Sequence, residues 1–303
     1  MKILTFNTHS LAEEEQERKL LGTAQWIARE KPDILGLQEV NQEASEGLLP
    51  EHMREGFWEP EAGETCRKKI ALRCGNYAAR LVELLREYGC RYFWTWLPVK
   101  LGYGKYDEGL AFFSLRPIER AVGRPLSRIQ DYSNWKTRQA LGIQIQGIPD
   151  VWFYTVHMGW WEDEEEPFKA QWDRLEACVR EQQKAGNVWV MGDFNSPCHI
   201  PDQGYAYVRD HGWKDTYLLA DVRDDGLTVR EAIDGWRSRG SGEGMRIDYI
   251  WCREDLPVLT SRTVFNGTDS PRVSDHCGVM IQTGGPASEK NKREAAICRK
   301  ERG

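Results

Sequence analysis

The stretch Trp189-Val190-Met191-Gly192-Asp193-Phe194-Asn195 is an apolar run that meets a glycine and then alternates acid, aromatic and carboxamide. A short apolar run bounded by turn residues reads as a buried strand. Side chains two apart on an extended chain point the same way, so Asp193 and Asn195 share a face at the strand's carboxyl end. There a carboxylate can orient or deprotonate a water, and a carboxamide can donate to a developing anion. Gly, Asp and Asn are also ordinary turn residues. The weight of this stretch therefore depends on what the rest of the chain sets beside it.

Upstream, residues 3–7 are apolar and run into the polar cluster Asn7-Thr8-His9-Ser10. Leu20, Leu21, Ala24, Ile27 and Ala28 recur at helical spacing until Pro32 stops them. Residues 34–39 read as a second buried strand, ending in Glu39. Residues 41–73, rich in Glu, Gly and Pro, read as a long excursion or lid, and Ala78, Leu81, Val82 and Leu85 mark a second helix. Residues 92–99 and 109–115 read as strands, and 138–146 with 151–157 as a hairpin. Pro167 opens a third helix on which Phe168, Trp172, Leu175 and Val179 share a face. Beyond residue 195 the pattern predicts a loop-rich region over 196–244, then strands at 247–252, 262–265 and 278–283. Helices separate some strand pairs and not others, which fits one α/β domain of two packed sheets with helices outside better than strict βαβ alternation.

A chain of 303 residues, 40% hydrophobic and 29% charged, has the composition of a soluble globular protein with one large core or two small ones. No apolar run reaches the length of a membrane span. The first residues read as a strand with no signal peptide ahead of it, and the eight scattered cysteines read as reduced thiols, so the expected location is the cytoplasm. Residues 284–303 carry six Lys/Arg against three Glu and are expected to form a disordered tail on a domain spanning 1–283. With a net charge of −6 overall, that leaves the body at −9, a total that does not call for the basic face usual in nucleic-acid binders, although a local basic groove is compatible with it.

Polar residues recur at the apolar strands: Asn7, Glu39, His157, Asp193 with Asn195, Asp248, and Asp275 with His276. A lone His is more often a satisfied core residue than a catalyst, and Glu39 alone could be a solvated strand end. Asp248 lies within an apolar strand, where a buried carboxylate needs a partner, and His276 is a natural one. As a set they have a chemical logic. Glu39 and Asn7, with Asp275, offer oxygen ligands to a hard cation such as Mg²⁺ or Mn²⁺. Asp193 can orient the attacking water, His157 and His276 can hold or protonate phosphate oxygens, and Asp248 can orient His276. That is metal-assisted hydrolysis of a phosphate ester.

In this order, Asn7, Leu37-Gln38-Glu39-Val40, Thr155-Val156-His157, Gly192-Asp193-Phe194-Asn195, Arg246-Ile247-Asp248-Tyr249-Ile250 and Ser274-Asp275-His276 resemble the signature segments of the endonuclease/exonuclease/phosphatase superfamily. The resemblance implies a four-layer sandwich, two mixed sheets flanked by helices. It also implies that Glu39 binds the metal with help from Asn7, that Asp193 aligns the water, that Asn195 and His157 contact the phosphate, and that Asp248 pairs with His276. His9 stands where abasic-site nucleases of the superfamily usually carry Asp, and a His at position 157 resembles the DNase, sphingomyelinase and phosphatase branches. Asn7-Thr8-His9-Ser10, Tyr106-Asp107-Glu108-Gly109-Leu110, Trp135-Lys136-Thr137-Arg138 and Met158-Gly159-Trp160-Trp161 resemble a bacterial subgroup that includes maltose-6'-phosphate phosphatase.

Around this set, Trp160 and Trp161 are candidates to stack on a sugar or base, or else to pack the core. The acidic run 162–166 either complements the following helix dipole or lines the mouth and repels a polyphosphate. Arg138 and Lys136 are candidate phosphate clamps. Glu108, read with Tyr106 and Asp107 as a Gly-rich loop, can address sugar hydroxyls. The expected function is Mg²⁺- or Mn²⁺-dependent hydrolysis of a small phosphorylated substrate, a sugar phosphate first. A DNA or RNA nuclease on the same residues, and an inactive binding module, are the alternatives.

Overall fold

A computed structural model describes residues 1–61, 70–231, 233, 236 and 244–284. The middle of the expected lid and nearly all of the charged tail lie outside the described residues.

Two sheets form the centre. The first has seven strands, in spatial order β10 (Ala220–Arg223), β12 (Val258–Val264), β13 (Gly278–Thr283), β1 (Lys2–Asn7), β2 (Ile34–Glu43), β4 (Tyr106–Ser114) and β3 (Phe93–Gly102). The second has six: β5 (Ile118–Pro125), β6 (Gln139–Ile145), β7 (Trp152–His157), β8 (Val188–Asp193), β11 (Asp248–Cys252) and β9 (Lys214–Asp215). Alternation along each strand builds the layers. Ile3, Ile34 and Phe112 of the first sheet meet Ile143, Phe153, Met191 and Ile250 of the second in the central core. Their neighbours Leu4, Phe6, Leu35 and Leu37 face outward onto α1 (Gln16–Glu30) and α2 (Tyr77–Glu87). On the far side Val190, Tyr249 and Trp251 receive Phe168, Trp172, Leu175 and Val179 of α3 (Phe168–Ala185), the face read from the sequence. The result is the expected helix–sheet–sheet–helix sandwich.

Three readings change. Region 196–244 is not all loop: it holds α4 (Gly204–Asp210), β9, the single turn α5 (Thr216–Leu219) and β10, elements too short to show a period. Strand β5 has no clear apolar run because Glu119 and Arg120 near its start are exposed at the edge of a sheet. Tyr106, Asp107 and Glu108 are buried in β4, and the hairpin turn is Tyr103-Gly104-Lys105.

Register aims the site. Strands β7 and β8 run parallel with His157 opposite Asp193, and β11 returns antiparallel with Asp248 also opposite Asp193. Strands β1 and β2 run parallel with Asn7 opposite Gln38. Every one of these residues therefore falls at the same end of the sandwich. Gly192 permits the close pairing just before Asp193: its φ is 142°, and a Cβ there would lie 1.9 Å from the Val156 carbonyl oxygen. In β2 the pairing with β4 slips between Leu37 and Val40, a bulge at which Glu39 takes a left-handed φ of 52°. The bulge turns Glu39 toward the strand ends, as bulges beside active sites commonly do.

Candidate active site

The strand ends converge on a cleft of about 240 Å³. Glu39, His157, Asp193, Asn195, Asp275 and His276 line it, while Asn7 and Asp248 are buried behind its wall. Asn7 ties the two sheets together. Its Nδ2 donates to Glu39 Oε1 (2.9 Å) and to Asp193 Oδ2 (3.1 Å), and its Oδ1 accepts from the His9 backbone N–H (3.1 Å). In this rotamer Asn7 clamps the two carboxylates with its amide nitrogen, and its oxygen is engaged elsewhere.

Asp193 Oδ1 accepts from the Asn195 backbone N–H (2.8 Å), a bond that the left-handed φ of Asn195 (44°) makes possible. His276 Nδ1 lies 3.0 Å from Asp248 Oδ2, and its Nε2 lies 3.7 Å from Asp193 Oδ2. His157 Nε2 is 3.6 Å from the same Asp193 oxygen and 3.2 Å from Asn195 Nδ2. Ser274 Oγ donates to the Asn7 carbonyl (2.9 Å) and accepts from the His276 N–H (3.2 Å), which fixes the loop before β13 against β1.

The electrostatics follow from this packing. Burial, then repulsion by Asp248, pushes the Asp193 carboxyl up to about 7, against the pull of His276. Burial and then the Glu108 charge raise Glu39 above the usual carboxylate range. Burial works against a charged His276, but Asp248 and Asp193 outweigh it and hold its pKa well above 6.5. For His157, burial and the cations Arg138 and Lys100 act together and hold it well below 6.5. In the cleft wall His9 Nδ1 pairs with Glu13 Oε1 at 2.9 Å, and Glu13 also holds Lys19.

A hard divalent cation suits these residues. One atom each from Asp193, Asp248 and His276 lies within 4.8 Å of the others, but the imidazole is held protonated by Asp248 and has no free lone pair, so the oxygen donors are the carboxylates, with Glu39 and Asp275 at the same cleft. The donors are mostly carboxylate oxygens, the preference of Mg²⁺ and Mn²⁺. Among the described residues Asp248 Oδ1 is buried with no hydrogen-bond partner, and the carboxyls of Glu39 and Asp193 are both pushed up by burial and then by neighbouring negative charge, which a cation would offset.

The rim differs from its reading in the sequence. Trp160 lines the cleft, with its ring centroid 5.6 Å from Trp135 in an edge-on pair. Trp161 does not: it turns away onto Phe168 and Tyr207. The chain turns at Trp161, with the Asp163 N–H directed at the Trp160 carbonyl, and only Trp160 reaches the mouth. Lys136 is held by Asp163 (2.9 Å) and Glu165 (2.7 Å) and is not among the residues lining the cleft. Within the acidic run, Glu166 is buried, accepting from the Arg128 (3.0 Å) and Ile129 (2.6 Å) N–H groups, so it pins a loop instead of charging the mouth. Arg138 does line the cleft. It is buried, with Nη1 on the Trp135 carbonyl (3.0 Å) and Nε without a hydrogen-bond partner among the described residues. Glu108 lines it too, paired with Lys100 at 3.1 Å.

Several residues at or behind the cleft are not among those the sequence singles out for the site, Lys100, Tyr103, Trp135 and Trp236 among them. Lys100 carries a signal, a cation ending an apolar strand. Tyr103 and Trp135 lie in loops, and Trp236, whose Nε1 donates to Asn195 Oδ1 at 3.0 Å, lies in a segment with no period.

The chain matches the Endonuclease/Exonuclease/phosphatase family over residues 4–276 and belongs to it. This family of metal-dependent hydrolases includes phosphatases and nucleases. Among solved structures, the chain is similar to an endonuclease/exonuclease/phosphatase family protein from Leptotrichia buccalis. The two are 29% identical with a TM-score of 0.78, over 94% of this chain and 100% of that one. A mannosyl-6-phosphatase from Bacteroides thetaiotaomicron is 16% identical, with a TM-score of 0.60 over 94% of this chain and 100% of that one. TDP2 from Caenorhabditis elegans is also 16% identical, with a TM-score of 0.56 over 94% and 74%. At 16% identity these two likenesses speak for the fold alone. No curated protein matches the chain.

Proposed function

We propose that this chain is a Mg²⁺- or Mn²⁺-dependent phosphoesterase that hydrolyses a small phosphorylated molecule, a sugar phosphate such as maltose 6'-phosphate first. One observation carries the reading. The carboxylate–histidine floor opens into a single cleft whose other walls are the Trp135–Trp160 pair, Tyr103, and the buried cations Lys100 and Arg138. A flat aromatic wall with a few fixed polar groups suits a compact ring better than a long polyanion. The name of the mannosyl-6-phosphatase from Bacteroides thetaiotaomicron points the same way.

The protein groups divide the work as follows. Asp193 orients a water on the phosphorus and takes its proton as the P–O bond to the water forms. His276, kept charged by Asp248, places its Nε2–H against a phosphate oxygen. His157 and Arg138 supply further donors, and the leaving alcohol takes up a proton from solvent as the ester bond breaks. Lys100 and Glu108 address the hydroxyls of the leaving group. Glu39, Asp275 and Asp193 would hold the cation, which when bound stabilises charge on the phosphoryl oxygens.

A panel of sugar phosphates, other phosphomonoesters, plasmid DNA and oligonucleotides, each with Mg²⁺, Mn²⁺ or EDTA, tests this. The expected result is sugar-phosphate turnover abolished by EDTA, and strongly reduced in Glu39→Gln with the fold intact. Turnover that survives EDTA would remove the metal from the reading. Efficient plasmid nicking without sugar-phosphate turnover would replace the substrate class by nucleic acid.

A further inference from the structure

We propose that Trp236 is a positioning residue: its indole N–H fixes the Asn195 carboxamide in the one orientation that keeps His157 as the Nδ1–H tautomer.

A carboxamide has an acceptor end and a donor end of nearly the same shape, so its neighbours decide which way it faces. Here the neighbours are unequal. An indole N–H can only donate, and Trp236 Nε1 lies 3.0 Å from Asn195 Oδ1. With the oxygen pinned, Nδ2 faces the Met158 carbonyl (3.0 Å) and His157 Nε2 (3.2 Å). One hydrogen goes to each. A ring nitrogen that receives a donor carries no proton of its own, so the imidazole proton resides on Nδ1. Turned over, Asn195 would set its oxygen against the Met158 carbonyl and call for a proton on Nε2. The Asp193 oxygen 3.6 Å away would then share that proton. The two tautomers therefore offer different groups to the cleft.

The selected tautomer leaves a donor in reserve. His157 Nδ1 is buried and has no hydrogen-bond partner among the described residues, with Glu39 Oε1 3.8 Å away. A buried donor left without an acceptor is costly, and a phosphate oxygen entering beside Glu39 would relieve it. Trp236 is itself well held. It is 4% exposed and sits in a small apolar cluster with Val229, Ile233, Met245 and Ile247, against which the rim residue Trp160 packs. The part of this proposal that concerns rate rests on the phosphoesterase reading; the part that concerns the proton does not.

Two-bond ¹⁵N–¹H spectra of the six histidines, with His157 assigned by loss of its signals in His157→Gln, read the tautomer directly. The wild type is expected to show a protonated Nδ1 and a bare Nε2 at His157. In Trp236→Phe, which keeps most of the packing and loses the N–H, the signals should move toward a mixture. In Asn195→Asp, whose carboxylate can only accept, they should invert. On the preferred substrate Trp236→Phe should lower kcat about 10-fold, the low end for groups that orient a functional side chain, with KM within about twofold. A wild-type His157 protonated on Nε2 would overturn the proposal without any variant. So would a folded Trp236→Phe protein with an unchanged Nδ1–H signature. If no phosphoester is turned over, the functional reading fails while the spectra still decide the role of Trp236.

Discussion

Two histidines flank the same carboxylate at nearly the same distance, and the structure shifts their pKa values in opposite directions. His157 Nε2 is 3.6 Å from Asp193 Oδ2 and His276 Nε2 is 3.7 Å from it. Both are largely buried. In the β7–β8 corner the partner of His157 is a neutral carboxamide, with Arg138 and Lys100 near, and the ring stays neutral. In the β11–β13 corner the partner of His276 is the Asp248 carboxylate, and the ring stays charged. Burial is common to both, so the partner decides. One residue type thereby supplies a neutral donor on one side of Asp193 and a cation on the other.

The comparison breaks most forcefully at Asp248. Asp248→Asn removes the counter-charge of His276, and kcat should fall roughly 10²- to 10⁴-fold, the scale of a positioned acid or base. Asp248 and His276 act as a unit, so Asp248→Asn/His276→Gln should be little worse than the poorer single change. Additive losses in steady-state kinetics would show two independent roles.

The next largest effect concerns the frame. Gly192→Ala forces a side chain into a positive φ and against the Val156 carbonyl. It should cost more than about 1 kcal/mol of stability and separate His157 from Asp193. Denaturant unfolding with an unchanged midpoint would show that β7 and β8 tolerate the intrusion.

A third effect sharpens the contrast between the two rings. The folded pKa of His276 is raised above 6.5, so its stabilising effect is complete below pH 6.5 and fades as the pH climbs through the raised value. The folded pKa of His157 is depressed, so its contribution is present above pH 6.5 and is lost as the pH falls. Unfolding of the metal-free protein across pH should show His276→Gln removing a loss on the alkaline side, and His157→Gln removing a loss on the acid side. Slopes of the same sign would mean that the two rings carry the same charge.

The smallest effects lie at the rim. Trp135→Ala and Trp160→Ala should raise KM several-fold with little change in kcat, as expected for binding shared by ground and transition states. Trp161→Ala should leave KM unchanged and lower stability instead, because its ring packs on Phe168 and Tyr207.

Much of the floor is legible in the sequence. Apolar runs of strand length ending in Asn7, Glu39, His157 and Asp193 are local features, and an acid inside the strand at Asp248 demands a partner by desolvation alone. The helical face Phe168, Trp172, Leu175 and Val179 is set by period, which is also local. The rim is not legible in the same way. Trp160 and Trp161 have the same composition and context, and only the fold sends one to the cleft and the other onto α3. Lys136 and Arg138, two residues apart, are both candidate clamps in the sequence, Arg138 the stronger because it falls within a strand. One is paired with Asp163 and Glu165, and the other is buried beside the floor.

The amino-acid order alone accounts for the layers and for the chemical types at the strand ends, because hydrophobic period and strand length depend on neighbours within a few residues. The charges of the two histidines come from the folded arrangement. Asn195, Asp248, Arg138 and Lys100 lie on different elements, and the relation of each to a histidine follows from strand register and sheet packing. Proton affinity is governed by distances of a few ångströms between groups far apart in the chain, and no local pattern in the sequence encodes those distances.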